Sequence, residues 1–273
     1  MSIIEITSHQ NQRIKDIIKL KNRRTREKNQ KTLFEGYRLI SRALDANFSI
    51  EECYFCPSMF LGKNEQSLLN SLLSRGAKLI KVPESILQKM SYRDRPEGLV
   101  AVSSIKEHKL EDMPIIKNGL YLVVEAIEKP GNLGSILRSA DASGVDGLII
   151  CARCTDLYNP NVLRASTGAI FYVPIAECSS EEAINWLHSN NINTLAATPH
   201  AEKSYDDIDM TQSIAIVTGA EQYGLTPLWM ENSKIKTRIP MCGQIDSLNV
   251  AIATSILLFE ASRQRRVTSN IIL

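Results

Sequence analysis

From Leu120 onward the chain carries near-continuous apolar runs, "LYLVVEAI", "DGLIICA", "INTLAAT" and "SIAIVTGA", separated by helical patterns such as "NLGSILRSADASG" and "EEAINWLHSNN". Strands that are apolar at every position are buried on both faces, as in a parallel sheet, whereas a half-wet antiparallel strand alternates. The repeated strand–helix order predicts an α/β doubly wound parallel sheet over residues 119–273. Residues 1–105 have a shorter, more mixed rhythm. There "TLFEG" leads into a helix, "YRLISRALDAN", then strand "IEECYFC", a helix over 65–74, strand "AKLIKV", a helix opened by proline in "PESILQKM", and strand "GLVAVSSI". These predict a smaller α/β domain. Residues 106–118, in "KEHKLEDMPIIKNG", combine charges, proline and glycine without periodicity and read as a linker.

One segment departs from the amphipathic habit. Ser247 to Phe259, inside "GQIDSLNVAIATSILLFEAS", contains no charged residue. A helix apolar all round is buried on more than one side. At 13 residues the run is short of the roughly 18 needed to span a bilayer, so no membrane span is expected. No apolar h-region follows Met1, which favours a cytoplasmic protein.

Composition adds little beyond an ordinary globular chain: 273 residues, 44% hydrophobic, 23% charged, net charge +2. Charge distribution adds more. Between Arg13 and Lys31 nine Lys and Arg stand against Asp16 and Glu27, around a stripe of Ile14, Ile17 and Ile18. This predicts a helix with one docked side and a basic remainder that meets phosphate. Two CxxC pairs, Cys53/Cys56 and Cys151/Cys154, allow a zinc or redox reading. Each lies in or beside a strand, where i and i+3 point to opposite faces, and four scattered histidines add no ligand spacing. Buried free cysteines and no metal are therefore expected.

In an open parallel sheet, ligands sit at the carboxyl ends of strands, so the strand-to-helix turns carry the chemistry. In "EKPGNLGSILRSADASG", Asn132 falls where a helix N-cap would be, and Arg138 lies nearly two turns on, where a cation on a buried helix needs an anionic partner. In "TGAEQYGL", Gly219 and Gly224 permit close approach or positive φ, and Glu221 lies at the mouth. In "RIPMCGQIDSLNVAIA", Asp246 or Ser247 is placed to cap the last helix and Asn249 to project from its first turn.

Together these three turns resemble the signature motifs of the SpoU/TrmH-type RNA ribose 2′-O-methyltransferases of the SPOUT superfamily, in order and over about residues 119–266. In "GAEQYGL" an alanine stands before the glutamate, where the family more often has asparagine. The segment "LFEGYRLISRAL", after a basic helix, is more loosely similar to the ribosomal-protein-like RNA-binding domain that many of these enzymes carry.

The resemblance implies a catalytic half folded around a deep trefoil knot, S-adenosyl-L-methionine as methyl donor, and a homodimer formed through the last helix. It places cofactor contacts on Thr198, Gly219, Ile239, Met241 and Leu248. Apolar walls such as Ile239 and Leu248 suit an adenine ring, with backbone groups reading its edge. It places the reaction on Arg138, Asn132, Glu221, Ser247 and Asn249. A guanidinium keeps its proton under ordinary conditions. Arg138 is thus read first as a binder of phosphate and of alkoxide character, with Asn132 fixing it or the ribose. The RNA-facing cations are Arg13, Lys21, Arg23, Arg24, Arg26 and Arg38. The favoured substrate is 23S ribosomal RNA. A transfer RNA substrate is one alternative, and a non-catalytic RNA-binding protein on the same fold is another. A dinucleotide-binding enzyme is disfavoured by the missing GxGxxG and by Arg153 where an acidic residue would close the second strand.

Overall fold

Two separate sheets organise the chain in the computed structural model, which describes residues 3–268. The chain divides into two units, one of residues 1–106 with 158–171, the other of 107–157 with 172–273.

The first unit begins with β1 (Ile4–Glu5), α1 (Gln12–Lys19) and α2 (Arg23–Asn29). The basic segment is thus two helices, not one: Asn11 caps α1 and Asn22 caps α2 by accepting from the amide of Arg24 at 2.9 Å. There follow β2 (Lys31–Glu35), α3 (Tyr37–Asp45), β3 (Ile50–Phe55), α4 (Glu65–Ser74), β4 (Lys78–Lys81), α5 (Glu84–Met90) and β5 (Leu99–Ser104). The strands form a mixed sheet in the order β1-β4-β3-β5-β2, with β5 antiparallel to both its neighbours. Ile14 and Ile17 of α1 dock beside Leu33, Tyr54, Ile80, Ile86, Val100 and Val102, all buried.

The second unit contains β6 (Leu120–Glu125), α6 (Pro130–Ser143) and β7 (Gly147–Cys151). The chain then supplies α7 (Pro160–Ser166) to the first unit before β8 (Ile175–Cys178), α8 (Ser180–Ser189), β9 (Asn193–Ala197), β10 (Ile214–Thr218), α9 (Pro227–Asn232), β11 (Ile235–Thr237) and α10 (Val250–Thr268). All pairings in its six-stranded sheet are parallel, in the order β11-β9-β10-β6-β7-β8. Val123, Ile149, Ala215, Val217 and Trp229 are buried against Leu187 of α8.

Three features differ from the sequence reading. Segment 158–171 groups with the first unit because its apolar residues pack there: the Phe171 ring lies 5.0 Å from that of Phe34 and 4.9 Å from that of Phe48. The expected linker is docked in the second unit: Met113 is buried, and the carbonyl of His108 accepts from the amide of Glu177 at 2.9 Å. Of the four CxxC cysteines, expected to be buried, Cys53, Cys56 and Cys151 are buried and one is not. Cys151 faces Cys178 in the β7–β8 register, and Cys154 is exposed. A thiol–thiol hydrogen bond from Cys151 lowers the Cys178 thiol and, with burial, drives that of Cys151 upward. Among the described residues no group of three His, Cys, Asp or Glu is placed to hold a metal ion, and no helix is long and apolar enough to cross a membrane.

Candidate active site

The sheet order creates the site. β6, first in its sheet, has β7 on one side and β10 on the other, so the direction of winding reverses between β6 and β10. Thr218 pairs with Val124, which brings the carboxyl ends of these two strands side by side. In open α/β sheets such a switch point leaves a crevice beyond the strand ends. The turns that leave β6 and β10 are the two that carry Asn132 and Glu221.

Asn132 Nδ2 donates to Glu221 Oε1, and Asn249 Nδ2 donates to Asn132 Oδ1 at 3.2 Å. Three turns from distant parts of the chain therefore meet in one hydrogen-bonded series. Asn132 is in the first turn of α6, not its N-cap: the helix starts two residues earlier with Pro130 at the position where a missing N–H costs nothing. Asn249 itself caps α10, its Oδ1 accepting from the Ala251 amide at 3.0 Å, so neither Asp246 nor Ser247 does so. One Asn249 side chain thus ends the helix and ties it to α6 through its two polar atoms.

Both glycines of the β10 turn are required by geometry. The turn closes with paired backbone bonds between Ala220 and Gly224, at 3.1 and 3.0 Å. Gly224 has φ +67°, and a Cβ on Gly219 would lie 2.3 Å from the carbonyl carbon of Gly224. Gly219 therefore shapes the turn.

A cleft of about 110 Å³ lies beside the ends of β9 and β11, lined by Thr198, Ile239, Met241, Ser247, Leu248 and Leu257 among others. Four of the five expected cofactor residues share this wall, with Ser247; Gly219 is not among them. The segment 239–248 makes no backbone hydrogen bond among the described residues, so its amides and carbonyls are unspent. An apolar slot edged by free backbone donors and acceptors fits an adenine ring, whose rim carries both kinds of group.

Arg138 differs from expectation. It lies on the solvent face of α6 with Gly131 and Ser135, while Leu133, Ile136, Leu137 and Ala140 take the buried face. It forms no ion pair among the described residues. The helix has a wet side at the i, i+4, i+7 positions, so the cation needs no partner within the chain.

One residue that matters was not singled out from the sequence. Glu125, at the end of β6, is 2% exposed. Its Oε2 accepts from the amide of Thr226 at 2.9 Å, and its Oε1 from the hydroxyls of Thr226 and Ser180 at 2.9 and 3.0 Å. Ser180 in turn accepts from Trp229 Nε1 at 3.0 Å. A lone carboxylate closing the apolar run "LYLVVE" was the available signal, because a buried charge needs partners.

Comparison with known proteins follows the same division of the chain. Residues 119–259 match the model of the SpoU rRNA Methylase family. The chain belongs to that family. Residues 11–101 match an MRM3-like substrate binding domain. A relative in Streptomyces viridochromogenes, a 23S rRNA (uridine(2479)-2′-O)-methyltransferase, is 30% identical over 90% of this chain and 87% of its own. The 23S rRNA (guanosine(2553)-2′-O)-methyltransferase RlmP of Bacillus subtilis is 28% identical over 93% and 98%. The crystal structure of an AdoMet-bound rRNA methyltransferase from Sinorhizobium meliloti superposes with a TM-score of 0.88 at 30% identity, covering 96% of this chain and 98% of that one.

The basic residues of this SpoU family member do not all face outward. Arg26 is 3% exposed, and its Nη1 donates to the carbonyls of Leu20 and Lys21 at 3.0 and 2.9 Å. It satisfies backbone groups at the end of α1 and is withdrawn from the RNA-facing set. Arg13 pairs with Glu52 at 3.0 Å and Arg23 with Glu27 at 2.9 Å. Lys21 donates to the Ser91 carbonyl and sits 5.4 Å from the centre of the Tyr92 ring; burial lowers its pKa. Arg24 and Arg38 are exposed.

Proposed function

We propose that this protein transfers a methyl group from S-adenosylmethionine to the 2′-hydroxyl of a ribose in 23S ribosomal RNA. The observation that carries the reading is the hydrogen-bonded series Glu221–Asn132–Asn249 at the switch point, in a SpoU family chain whose neighbouring cleft suits an adenine. The donor, when bound, supplies an electrophilic sulfonium methyl. The chain must then align the ribose and manage one proton and one growing negative charge. Ile239, Met241 and Leu248 hold the adenine, and Thr198, Ser247 and the free amides of 239–248 orient the remainder. Arg138, cationic and unpaired on the exposed side of α6, binds the phosphate next to the target ribose and stabilises alkoxide character as the hydroxyl attacks. Asn132 fixes the ribose, held in turn by Glu221 and Asn249.

The family fold further implies that segment 239–249 forms part of a trefoil knot, and that two copies associate through α10. Reaction on ribosomal RNA places the protein in the cytoplasm. Purified protein, labelled methyl donor and unmodified 23S ribosomal RNA test the reading directly: label must appear in one alkali-resistant dinucleotide. Label absent from RNA, or found on a base, would refute it.

A further inference from the structure

The first unit holds a cavity of about 490 Å³, within the range of roughly 300–1,000 Å³ usual for small-ligand sites. None of the residues given cofactor or catalytic roles lines it. Its wall includes Glu35, Tyr37, Arg38, Glu65, Tyr92 and Arg164.

Two carboxylates there are half satisfied. Glu65, 4% exposed, accepts from the Gly62 amide through Oε1 at 2.7 Å, while its buried Oε2 has no partner. Glu35 accepts from the Tyr92 amide through Oε2 at 2.9 Å, while its buried Oε1 has none. Buried acceptors without donors are scarce in folded proteins, and each calls for an explanation. Two on one cavity wall ask for a ligand that brings N–H groups.

The same cavity carries cations. Arg38 makes no ion pair among the described residues, and Arg164 donates only to the side chain of Asn161, at 3.0 Å. A simple anion would meet the carboxylates, and a simple cation the guanidiniums. A nucleotide matches both, through its phosphate and the donor edge of its base. Tyr37 and Tyr92 supply aromatic faces of the kind on which unpaired RNA bases stack.

The identity of the donors selects the base. Guanine offers an N–H and an amino group side by side, one donor for each of the two vacant oxygens. Adenine and cytosine offer one amino group flanked by an acceptor nitrogen, and uracil one N–H between two carbonyl oxygens. We propose that this cavity takes one unpaired guanine of the RNA substrate, its donor edge on Glu65 and Glu35 and its phosphate on Arg38 and Arg164. The proposal rests on RNA being the substrate. Attachment to RNA, as opposed to a free nucleotide, is favoured because Lys21 of the basic segment sits over the Tyr92 ring, so a strand entering the cavity continues along that segment.

The test uses the full chain and labelled pentanucleotides, UUGUU against UUAUU, UUCUU and UUUUU, with binding read by fluorescence anisotropy. The guanine strand should bind about tenfold more tightly, the discrimination of one good base-edge contact. N1-methylation of that guanine, and Glu35→Gln or Glu65→Gln in the protein, should each erase the difference. Far-ultraviolet circular dichroism and thermal unfolding should match the parent chain in both variants, which shows them folded. Should Glu65→Gln fail to fold, Glu35→Gln and the methylated base still decide the question. Equal binding of all four strands, a preference for another base, or a preference surviving both substitutions would overturn the proposal. So would tighter binding of guanosine 5′-monophosphate than of the guanine strand. Methyl transfer to ribosomal RNA is assayed separately: guanine preference without transfer leaves this pocket standing and removes the enzymatic reading, and the converse outcome does the reverse.

Discussion

Glu125 grips Thr226 at two points, taking the backbone amide with one carboxylate oxygen and the hydroxyl with the other, both at 2.9 Å. Glu125 ends β6, and Thr226 follows the Gly219–Leu225 turn after β10. The clamp therefore spans the same switch point as the Asn132–Glu221 bond, from the opposite end of the turn. Through Ser180 it also reaches Trp229, which is fully buried.

Replacing Glu125 with alanine removes the acceptor of the buried Ser180 hydroxyl, and of the amide and hydroxyl of Thr226, an exposed residue. A buried donor left without an acceptor costs on the order of 1–3 kcal/mol. With Thr226 free to bond water instead, the expected loss is about 1–3 kcal/mol, measured by urea unfolding. The less disruptive Glu125→Gln keeps one acceptor. It should lower methyl transfer with little change in S-adenosylmethionine affinity, because the disturbed turn carries Glu221 while the cleft proposed for the adenine lies elsewhere. Equal loss of cofactor binding would show that the clamp supports the whole site.

Arg138 gives a cleaner test, since exposure separates its chemistry from its stability. Arg138→Ala should change unfolding free energy by less than about 0.5 kcal/mol, as expected of an exposed residue without partners. Single-turnover methyl transfer should fall by roughly 10²–10³-fold, the usual cost of one charge-stabilising donor. Arg138→Lys should recover only part of the rate, because an ammonium lacks the planar fork. Wild-type rates in the alanine variant would end the assignment.

Why these residues were legible, and others were not, has physical causes. Gly219 and Gly224 were legible because a Cβ at Gly219 would collide with the turn, and because glycine is the residue most at ease at φ +67°. The parallel sheet was legible because burial on both faces leaves no polar positions in a strand. The cap of α10 was misplaced because Asp246, Ser247 and Asn249 are all competent caps within one turn, and only the tertiary bond to Asn132 selects Asn249. β8 and α7, four and seven residues long, fall below the length at which periodicity declares itself. Arg26 misled because a dense run of cations reads as one solvated surface, while the fold spends one of them on the carbonyls of Leu20 and Lys21, just past α1. The Glu35–Glu65 cavity had no local pattern at all, being assembled from β2, α3, α4 and a returning α7.

Cys53 supplies a pH dependence with a definite sign. Complete burial pushes its thiol up to about 12. The unfolded chain therefore releases this proton near the ordinary thiol value, while the native state retains it. A folded pKa raised above the unfolded one gives stability that is whole below the unfolded pKa and lost as pH rises toward the folded one. Between about pH 9 and 12 this group should remove about 1.4 kcal/mol per pH unit. Comparing Cys53→Ala with the parent chain isolates it from the tyrosines: the variant should be less stable at pH 7, from the small cavity, and should lose less on going to pH 10. Parallel pH profiles would contradict the assignment.

The uncharged run of the last helix bears on the proposed association of two copies. Leu257, Leu258 and Ala261 of α10 are buried within the chain, and Ser255 meets Ser139 of α6 at 2.7 Å. Yet Ile252 and Phe259 are 53% and 47% exposed, with the half-buried Ile256 between them at helical spacing. If two copies associate through α10, as proposed above, this apolar stripe, left in water by the single chain, is the surface they would share. Two-fold symmetry presents each substitution twice, so Phe259→Glu would set like charges against each other across the axis. Light scattering should then report a dimer of the parent chain and a monomer of Phe259→Glu or Ile252→Arg at micromolar concentration. Unfolding free energy extrapolated to high dilution should stay within about 0.5 kcal/mol, since both side chains already face solvent in the single chain. A dimer persisting in both variants would move the interface off this stripe and leave the exposed isoleucine and phenylalanine needing another partner.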